Sequence, residues 1–92
     1  MNGEPLQTSV TITNPQGFHM RPKAAFAQMA AGFKSNVTVL WEGHSANGKS
    51  MWDLMLVAAE SGDVLTLAVE GPDAPAAMEA LVAVLKAPLP EE

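Results

Sequence analysis

The segment Gly17-Phe18-His19-Met20-Arg21-Pro22 marks a change in the hydrophobic pattern of this chain. Before it, residues 8–13 alternate between apolar and polar side chains, which predicts a half-buried strand. After it, apolar side chains recur at helical spacing, which predicts an amphipathic helix from Met20 to about Phe33. The change of period therefore places His19 at the start of a helix, just after the turn that follows the first strand.

Three further strands are predicted from the same kind of alternation. Residues 37–41 form the second, and a turn at Glu42-Gly43 leads into a short third strand over residues 44–47. Residues 64–70 form the fourth. Threonines fall on the polar side of these strands, which favours an antiparallel sheet with one face open to water. The threonines concerned are Thr11, Thr13, Thr38 and Thr66.

Two further helices are predicted. The run Ser50-Met51-Trp52-Asp53 fits the capping-box pattern, in which a serine or threonine is followed by an acid at the third helical position. It precedes the apolar run 54–59, so we expect a short second helix here, capped by its serine. Trp52 and Met55 are expected to pack in the core. A third amphipathic helix is predicted over residues 74–86.

The element order is therefore β-α-β-β-α-β-α. Strands and helices that each have one apolar face favour the α+β class, with a four-stranded antiparallel sheet in one layer and three helices covering it in the other. The 92 residues suffice for one domain, residues 1–92, with an ordered core expected over about residues 6–87.

The composition excludes several classes of protein. Hydrophobic residues make up 48% of the chain and charged residues 16%, which is typical of a globular protein rather than a disordered one. There are no cysteines, so no disulfide framework, thiolate nucleophile or cysteine-based metal site is available. We see no secretory leader, and no apolar run approaches the ~18–20 residues that span a bilayer. We therefore expect a cytoplasmic protein without membrane contact.

The charge distribution bears on possible partners. A formal net charge of −5 argues against a broad basic surface for nucleic acid. Residues 1–49 carry four cations against two acids, whereas residues 50–92 carry one cation against eight acids. The cations thus lie mainly in the half that contains His19. Such a region suits an acidic partner or substrate, although an ordinary solvated surface explains it equally well.

The residues around His19 suit a phosphoryl group. An imidazole can act as a neutral nucleophile near physiological pH. A helix start offers an anion its free backbone N–H groups, here those of Met20 and Arg21, and the positive end of the helix dipole. The Arg21 guanidinium can meet two oxygens at once. Because no Ser, Thr, Asp or Asn stands at the cap position, we expect His19 to occupy it, with the amides left open for a ligand.

These residues resemble a known family. The run Gly17–Pro22 resembles the active-site signature of HPr, the histidine phosphocarrier of the bacterial phosphoenolpyruvate-dependent sugar phosphotransferase system. Lys49-Ser50-Met51 resembles the regulatory-serine signature of the same family. The likeness extends from Val10 to Leu85 and includes the order of strands and helices.

The resemblance implies a phosphocarrier with an open-faced β-sandwich fold. His19 would accept a phosphoryl group on Nδ1 from phosphorylated enzyme I and pass it to the IIA domain of a sugar permease, with Arg21 in contact with that group. Ser50 would be the residue that an HPr kinase phosphorylates in many members. The protein would be a monomeric cytosolic phosphoprotein, a stoichiometric carrier rather than an enzyme, and would need no cofactor or metal of its own.

Residues beside the two signatures are candidates for partner docking. Met20 and Met51 are adaptable apolar side chains, and Lys23 and Lys49 are cations that suit an acidic partner. Met20 and Lys23 replace residues that are more usual in the family, which leaves the identity of the partners open.

Three other interpretations remain. A regulatory protein of the same fold, in a nitrogen-related branch of the system or as an effector phosphorylated on Ser50, would bind enzymes or transcription factors instead of driving sugar uptake. An anion-binding module would use the helix start without turnover, although binding alone requires no nucleophile. A metal site formed by His19 and His44 lacks close spacing and further ligands. We therefore expect His44 to face solvent on the hairpin, and no metal.

Overall fold

A four-stranded antiparallel sheet and three helices make up the fold, in a computed structural model that describes residues 5–86. The elements are β1 (Leu6–Thr11), α1 (Met20–Ala31), β2 (Asn36–Trp41), β3 (His44–Asn47), α2 (Met51–Leu54), β4 (Val64–Glu70) and α3 (Ala74–Lys86). The strands stand in the order β1-β4-β2-β3, and all their pairings are antiparallel. The predicted class and element order are confirmed.

Alternate strand residues form the sheet side of the core. Every second residue of β4 is buried, and the register pairs Leu65 with Val10 of β1 and Leu67 with Val39 of β2. All four are at most 2% exposed, and burying an aliphatic side chain of this size stabilises a fold by about 1.5–3 kcal/mol. Phe26 of α1, which is fully buried, closes the core from the helical layer.

The opposite face of the sheet carries short polar side chains. Ser9 of β1 pairs with Thr66 of β4, and their hydroxyl oxygens are 3.0 Å apart. Thr11 and Thr13 are exposed, and Thr38 is half-buried. The predicted alternation between a core face and a polar face is therefore confirmed.

The first strand is displaced by two residues from its predicted position over residues 8–13. The chain at Ile12 still exchanges backbone hydrogen bonds with the turn before β4, since its N–H donates to Asp63 and its carbonyl accepts from Gly62, both at 2.8 Å. The ladder proper ends at Thr11 because its partner strand begins at Val64. The alternating pattern alone does not show where a partner strand starts.

The second helix is shorter than predicted, with one turn instead of a helix that continues through residues 54–59. Leu54 fills the single face that one turn can bury and is fully buried. Trp52 is 79% exposed and Met55 49% exposed, so the expectation that these two pack in the core is wrong. Val57 does reach the core, but from a segment that is not helical.

Two loops are joined at the end of the sheet beyond β4. The Asp73 carboxylate accepts hydrogen bonds from the backbone N–H groups of Lys34 (2.8 Å) and Ser35 (2.9 Å) and from the Ser35 hydroxyl. These bonds, that of the hydroxyl foremost, lower the pKa of Asp73. Gly71 lies so close that a Cβ there would stand 2.6 Å from the Ser35 Cα. The connection therefore fixes the loop after α1 against the loop before α3.

None of the helices described within residues 5–86 is long and apolar enough to cross a membrane.

Candidate functional site

His19 occupies the N-cap position of α1, as the sequence predicts. Its backbone is extended, with φ −89° and ψ −168°, and its side chain makes no capping hydrogen bond. Its carbonyl accepts the helical bond from the Lys23 N–H at 3.1 Å. The first-turn amides of α1 therefore have no side-chain cap.

A tight loop before α1 fixes the backbone that leads into His19. The Gly17 N–H bonds the Asn14 carbonyl at 2.8 Å, and the Phe18 N–H bonds the Ala59 carbonyl at 2.9 Å. Gly17 has a positive φ of 75°, and a Cβ there would stand 2.8 Å from the Ala59 oxygen, so only glycine fits. Phe18 is buried and packs edge-on against Phe26, with ring centroids 6.2 Å apart.

Asn14 is a neighbour of His19 that the sequence analysis assigned only to the turn. Its Nδ2 lies 3.5 Å from His19 Nε2, and its Oδ1 accepts from the Gln16 N–H at 3.1 Å. The Asn14 amide nitrogen can donate to Nε2 when the ring proton is on Nδ1. When the proton is on Nε2 instead, the Nδ1 lone pair is free, and this contact, which is at the long limit of hydrogen bonding, is lost.

Arg21 and Met20 lie on the first turn of α1, next to His19. Arg21 is exposed and makes an interaction within the protein. Met20 is 54% exposed, which is a large fraction for an apolar side chain. The helix therefore presents both a cation and an apolar side chain beside the imidazole.

Lys23 lies one turn further along α1, and the residue is buried rather than exposed on the surface. Only 7% of the residue is exposed, and its Nζ lies 5.7 Å from the centroid of the Phe18 ring. Burial lowers the pKa of the Lys23 ammonium.

The Lys49 side chain of the Ser50 signature reaches the C-terminal end of α1. Its ammonium donates to the Phe33 carbonyl at 2.7 Å, just beyond the last turn of the helix. Gly48, two residues before Ser50, lies against the ring of Phe26 in the middle of α1, since a Cβ there would stand 3.0 Å from that ring. The signature therefore packs beside α1.

Ser50 caps α2 as predicted. Its hydroxyl accepts from the Asp53 N–H at 3.1 Å. The reciprocal bond of a capping box is absent from this described segment, because the Asp53 carboxylate accepts instead from the Asn47 N–H at 3.0 Å. The Ser50 N–H bonds the Asn47 carbonyl.

An exposed apolar surface adjoins α2, and we call its three residues Trp52, Met55 and Leu56 the α2 surface. Their exposed fractions are 79%, 49% and 77%. Helix α2 contacts α1, and the chain runs from Leu56 directly into the segment whose Ala59 carbonyl holds Phe18. Along the chain, the α2 surface therefore lies between Ser50 and the segment that holds Phe18. The sequence analysis missed this surface because it did not show that α2 is only one turn long.

Within residues 5–86, no group of three or more His, Asp or Glu side chains is arranged to hold a metal ion. His44 is exposed on β3, beside the Trp41 ring at a centroid distance of 6.5 Å, in agreement with its predicted position on the hairpin.

Comparison with known proteins identifies the family. A family model described as the PTS HPr component phosphorylation site matches residues 6–87, which include both signatures. The chain belongs to the HPr family. Among curated relatives, the phosphocarrier protein HPr of Vibrio cholerae is 39% identical over 79 residues, which cover 86% of this chain and 93% of the relative. The general role of the chain is therefore that of a phosphotransferase-system phosphocarrier.

Solved HPr structures share the fold. The phosphocarrier protein HPr of Bacillus anthracis superposes with a TM-score of 0.84 at 33% identity, covering 89% of this chain and 98% of that one. An HPr dimer from Thermoanaerobacter tengcongensis superposes with a TM-score of 0.71 at 35% identity, covering 84% and 88% of the two chains. Members of the family therefore share this open sheet, and at least one of them crystallises as a dimer.

Proposed function

We propose that this chain accepts a phosphoryl group on His19 from phosphorylated enzyme I and passes it to the IIA domains of sugar permeases. Family membership supplies the general role of phosphocarrier. The observation that supports His19 as the acceptor is its place at the start of α1 without a side-chain cap. In this proposal the chain is a monomeric cytoplasmic carrier with a transient phosphohistidine, and it is not an enzyme.

Transfer to and from the carrier needs a nucleophile that can also act as a leaving group. The Nδ1 lone pair of the neutral His19 ring attacks phosphorus while the N–P bond of the donor breaks and its electron pair returns to the donor ring. Onward transfer reverses these roles. The backbone N–H groups of Met20 and Arg21 and the positive helix end favour the added negative charge, and the Arg21 fork suits two phosphoryl oxygens.

Docking requires a surface that reaches both signatures. The proposed contacts are Met20 beside His19 and Met51 with Lys49 beside Ser50. The exposed α2 surface begins at Trp52, directly after Met51, and extends the apolar part of the contact. Large apolar side chains that are exposed to solvent mark protein contact sites. The nearby cations favour an acidic partner.

The direct test is labelling with radioactive phosphoenolpyruvate and enzyme I. The wild type should gain one acid-labile, hydroxylamine-sensitive phosphoryl group, and His19→Gln should gain none. His44→Gln is the matched control and should be labelled like the wild type. Equal labelling of the two variants would refute the assignment to His19. Transfer of the label to a sugar-specific IIA domain then separates sugar transport from a purely regulatory role.

A second candidate function is regulation through Ser50, which the Lys49-Ser50-Met51 signature favours. A phosphoryl group there would add negative charge to the docking side of the molecule and weaken contact with an acidic enzyme I. The chain would then bind enzymes or transcription factors. Mass spectrometry after incubation with ATP and a cognate HPr kinase tests this, with Ser61→Ala as the control for Ser50→Ala. Phosphate that persists in Ser50→Ala would exclude this candidate.

A further inference from the structure

Asn14 is a residue of the loop before α1 whose side chain contacts the His19 ring. Its Nδ2 lies 3.5 Å from His19 Nε2. The loop itself fixes which end of the carboxamide faces the ring, because Oδ1 accepts a hydrogen bond from the Gln16 N–H at 3.1 Å. The loop therefore presents an N–H donor, and not an acceptor, to Nε2.

The backbones that carry these two side chains are held on both sides of the contact. The Asn14 carbonyl accepts from the Gly17 N–H at 2.8 Å, and the His19 carbonyl accepts from the Lys23 N–H at 3.1 Å. Both Asn14 and His19 are half-buried. The carboxamide and the imidazole therefore face each other from fixed positions, one on a closed turn and the other at the start of a helix.

A donor at Nε2 distinguishes between the states of the His19 ring. Nε2 accepts a hydrogen bond only when it carries a lone pair, and in a neutral imidazole this requires a substituent on Nδ1. That substituent is a proton in the unmodified protein and phosphorus in the phosphorylated one. The contact with Asn14 is lost in the tautomer that carries its proton on Nε2 and in the imidazolium ring.

We propose that Asn14 is a positioning residue that keeps the phosphorylated His19 ring unprotonated on Nε2. This inference rests on the proposed function of His19, with phosphorus attached to Nδ1. Once the phosphorylated ring has released its Nε2 proton to water, Nε2 accepts from the Asn14 amide. A hydrogen bond to the neutral ring disfavours the charged one, so the bond stabilises the carrier between one transfer and the next.

The chemistry of the N–P bond explains why this protonation state matters. When water attacks phosphorus, the N–P bond breaks and its electron pair returns to Nδ1. A ring protonated on Nε2 leaves as neutral imidazole, whereas a ring without that proton leaves as the far more basic imidazolate. The Asn14 donor competes with the proton at Nε2 and therefore slows loss of the phosphoryl group to water.

The unmodified protein provides the first test, because nitrogen-15 chemical shifts of the neutral ring report which nitrogen carries the proton. Asn14→Leu keeps the size of the side chain and removes the donor. We expect the ratio of the Nδ1–H to the Nε2–H tautomer to fall about threefold, as for one weak neutral hydrogen bond. Asn14→Asp keeps an oxygen for the Gln16 N–H but turns an acceptor to Nε2, so the ratio should fall further. Thr13→Ala, at an exposed neighbour, should leave it unchanged.

The phosphorylated protein, separated from enzyme I, provides the second test. Spontaneous loss of phosphate at neutral pH should be about threefold faster in Asn14→Leu than in the wild type. It should be about tenfold faster in Asn14→Asp, because a hydrogen bond between charged groups is stronger. Thr13→Ala should lose phosphate at the wild-type rate. Docking to a partner has no influence on this rate.

The outcomes are distinct. A lower tautomer ratio and faster loss of phosphate, both larger in Asn14→Asp than in Asn14→Leu, support the inference. If Asn14→Asp equals the wild type in either measurement, or if Asn14→Leu changes only the melting temperature, Asn14 merely closes the loop and the inference is overturned while the proposed function stands. A wild type that takes up no label from phosphoenolpyruvate and enzyme I would overturn the proposed function, and this inference with it.

Discussion

The two ends of α1 differ in how fully their polar groups are partnered. Beyond its C-terminal end, Asp73 accepts three hydrogen bonds, one of them from the Ser35 hydroxyl, and the Lys49 ammonium bonds a backbone carbonyl. At the N-terminal end, His19 makes no capping bond and Lys23 has no acidic partner among the described residues. The difference separates an end whose polar groups join two loops from an end whose first-turn amides have no side-chain cap.

Of the changes made at the two ends of α1, Gly17→Ala has the largest expected effect, and it disrupts the N-terminal end. The new Cβ would meet the Ala59 oxygen at 2.8 Å while φ stays at 75°, so we expect the free energy of unfolding to fall by about 3 kcal/mol and phosphorylation to slow. Urea unfolding measures the first effect. Gly43→Ala is the control, because it has a similar φ of 81° and open space around it. Equal losses in the two variants would show that the close approach to Ala59 does not matter.

Ser35→Ala weakens the contacts beyond the C-terminal end of α1. Removing the hydroxyl takes one donor from Asp73 and leaves a small cavity at a residue that is 1% exposed. We expect a loss of about 1–2 kcal/mol in the free energy of unfolding, with the phosphorylation equilibrium of His19 unchanged. Ser9→Ala on the open sheet face should lose less. A change in the phosphorylation equilibrium would show that the two ends are coupled.

Trp52→Ala tests the α2 surface. Because this side chain is 79% exposed, its removal should change stability by less than about 0.5 kcal/mol while slowing phosphoryl transfer from enzyme I. Leu54→Ala, in the same turn but fully buried, should lose about 2–5 kcal/mol. If Trp52→Ala unfolds as readily as Leu54→Ala, the tryptophan belongs to the core after all.

Acid pH should weaken the partnered end through Asp73, and this change is the smallest of the four. The folded-state pKa of Asp73 lies below its ordinary value of 3.8, so the unfolded chain binds this proton more readily than the folded one. Its contribution is complete above the unfolded pKa and is lost as pH falls through the folded pKa. Melting temperatures below pH 4 should therefore decline less steeply in Asp73→Asn than in the wild type. Parallel curves would mean that Asp73 has no such role.

Much of the fold can be read from the sequence because it depends on local pattern. The change of period at residues 17–22 and the missing cap residue together predict His19 at the start of α1, and the structure agrees. The length of α2 cannot be read in this way. The apolar run 54–59 is equally compatible with a helix and with an extended segment, and contacts made by Val57 and Ala59 with distant residues decide between them.

The site is less predictable than the fold because parts of it depend on side-chain direction. Asn14 reaches His19 only because the loop closes on Gly17. Lysine is a residue type that is usually exposed, and only the structure shows that Lys23 is 7% exposed, with its Nζ near the Phe18 ring. Neither the contact between Asn14 and His19 nor the burial of Lys23 can be predicted from the hydrophobic period of the sequence.

The exposure of Trp52 also has a practical consequence. The chain contains two tryptophans, and the other, Trp41, is partly buried against the core, with its indole N–H shielded from solvent. Their fluorescence should therefore have two components, of which the redder comes from Trp52. A protein that covers α2 would shift that component to shorter wavelength, so complex formation can be followed optically without attaching a dye.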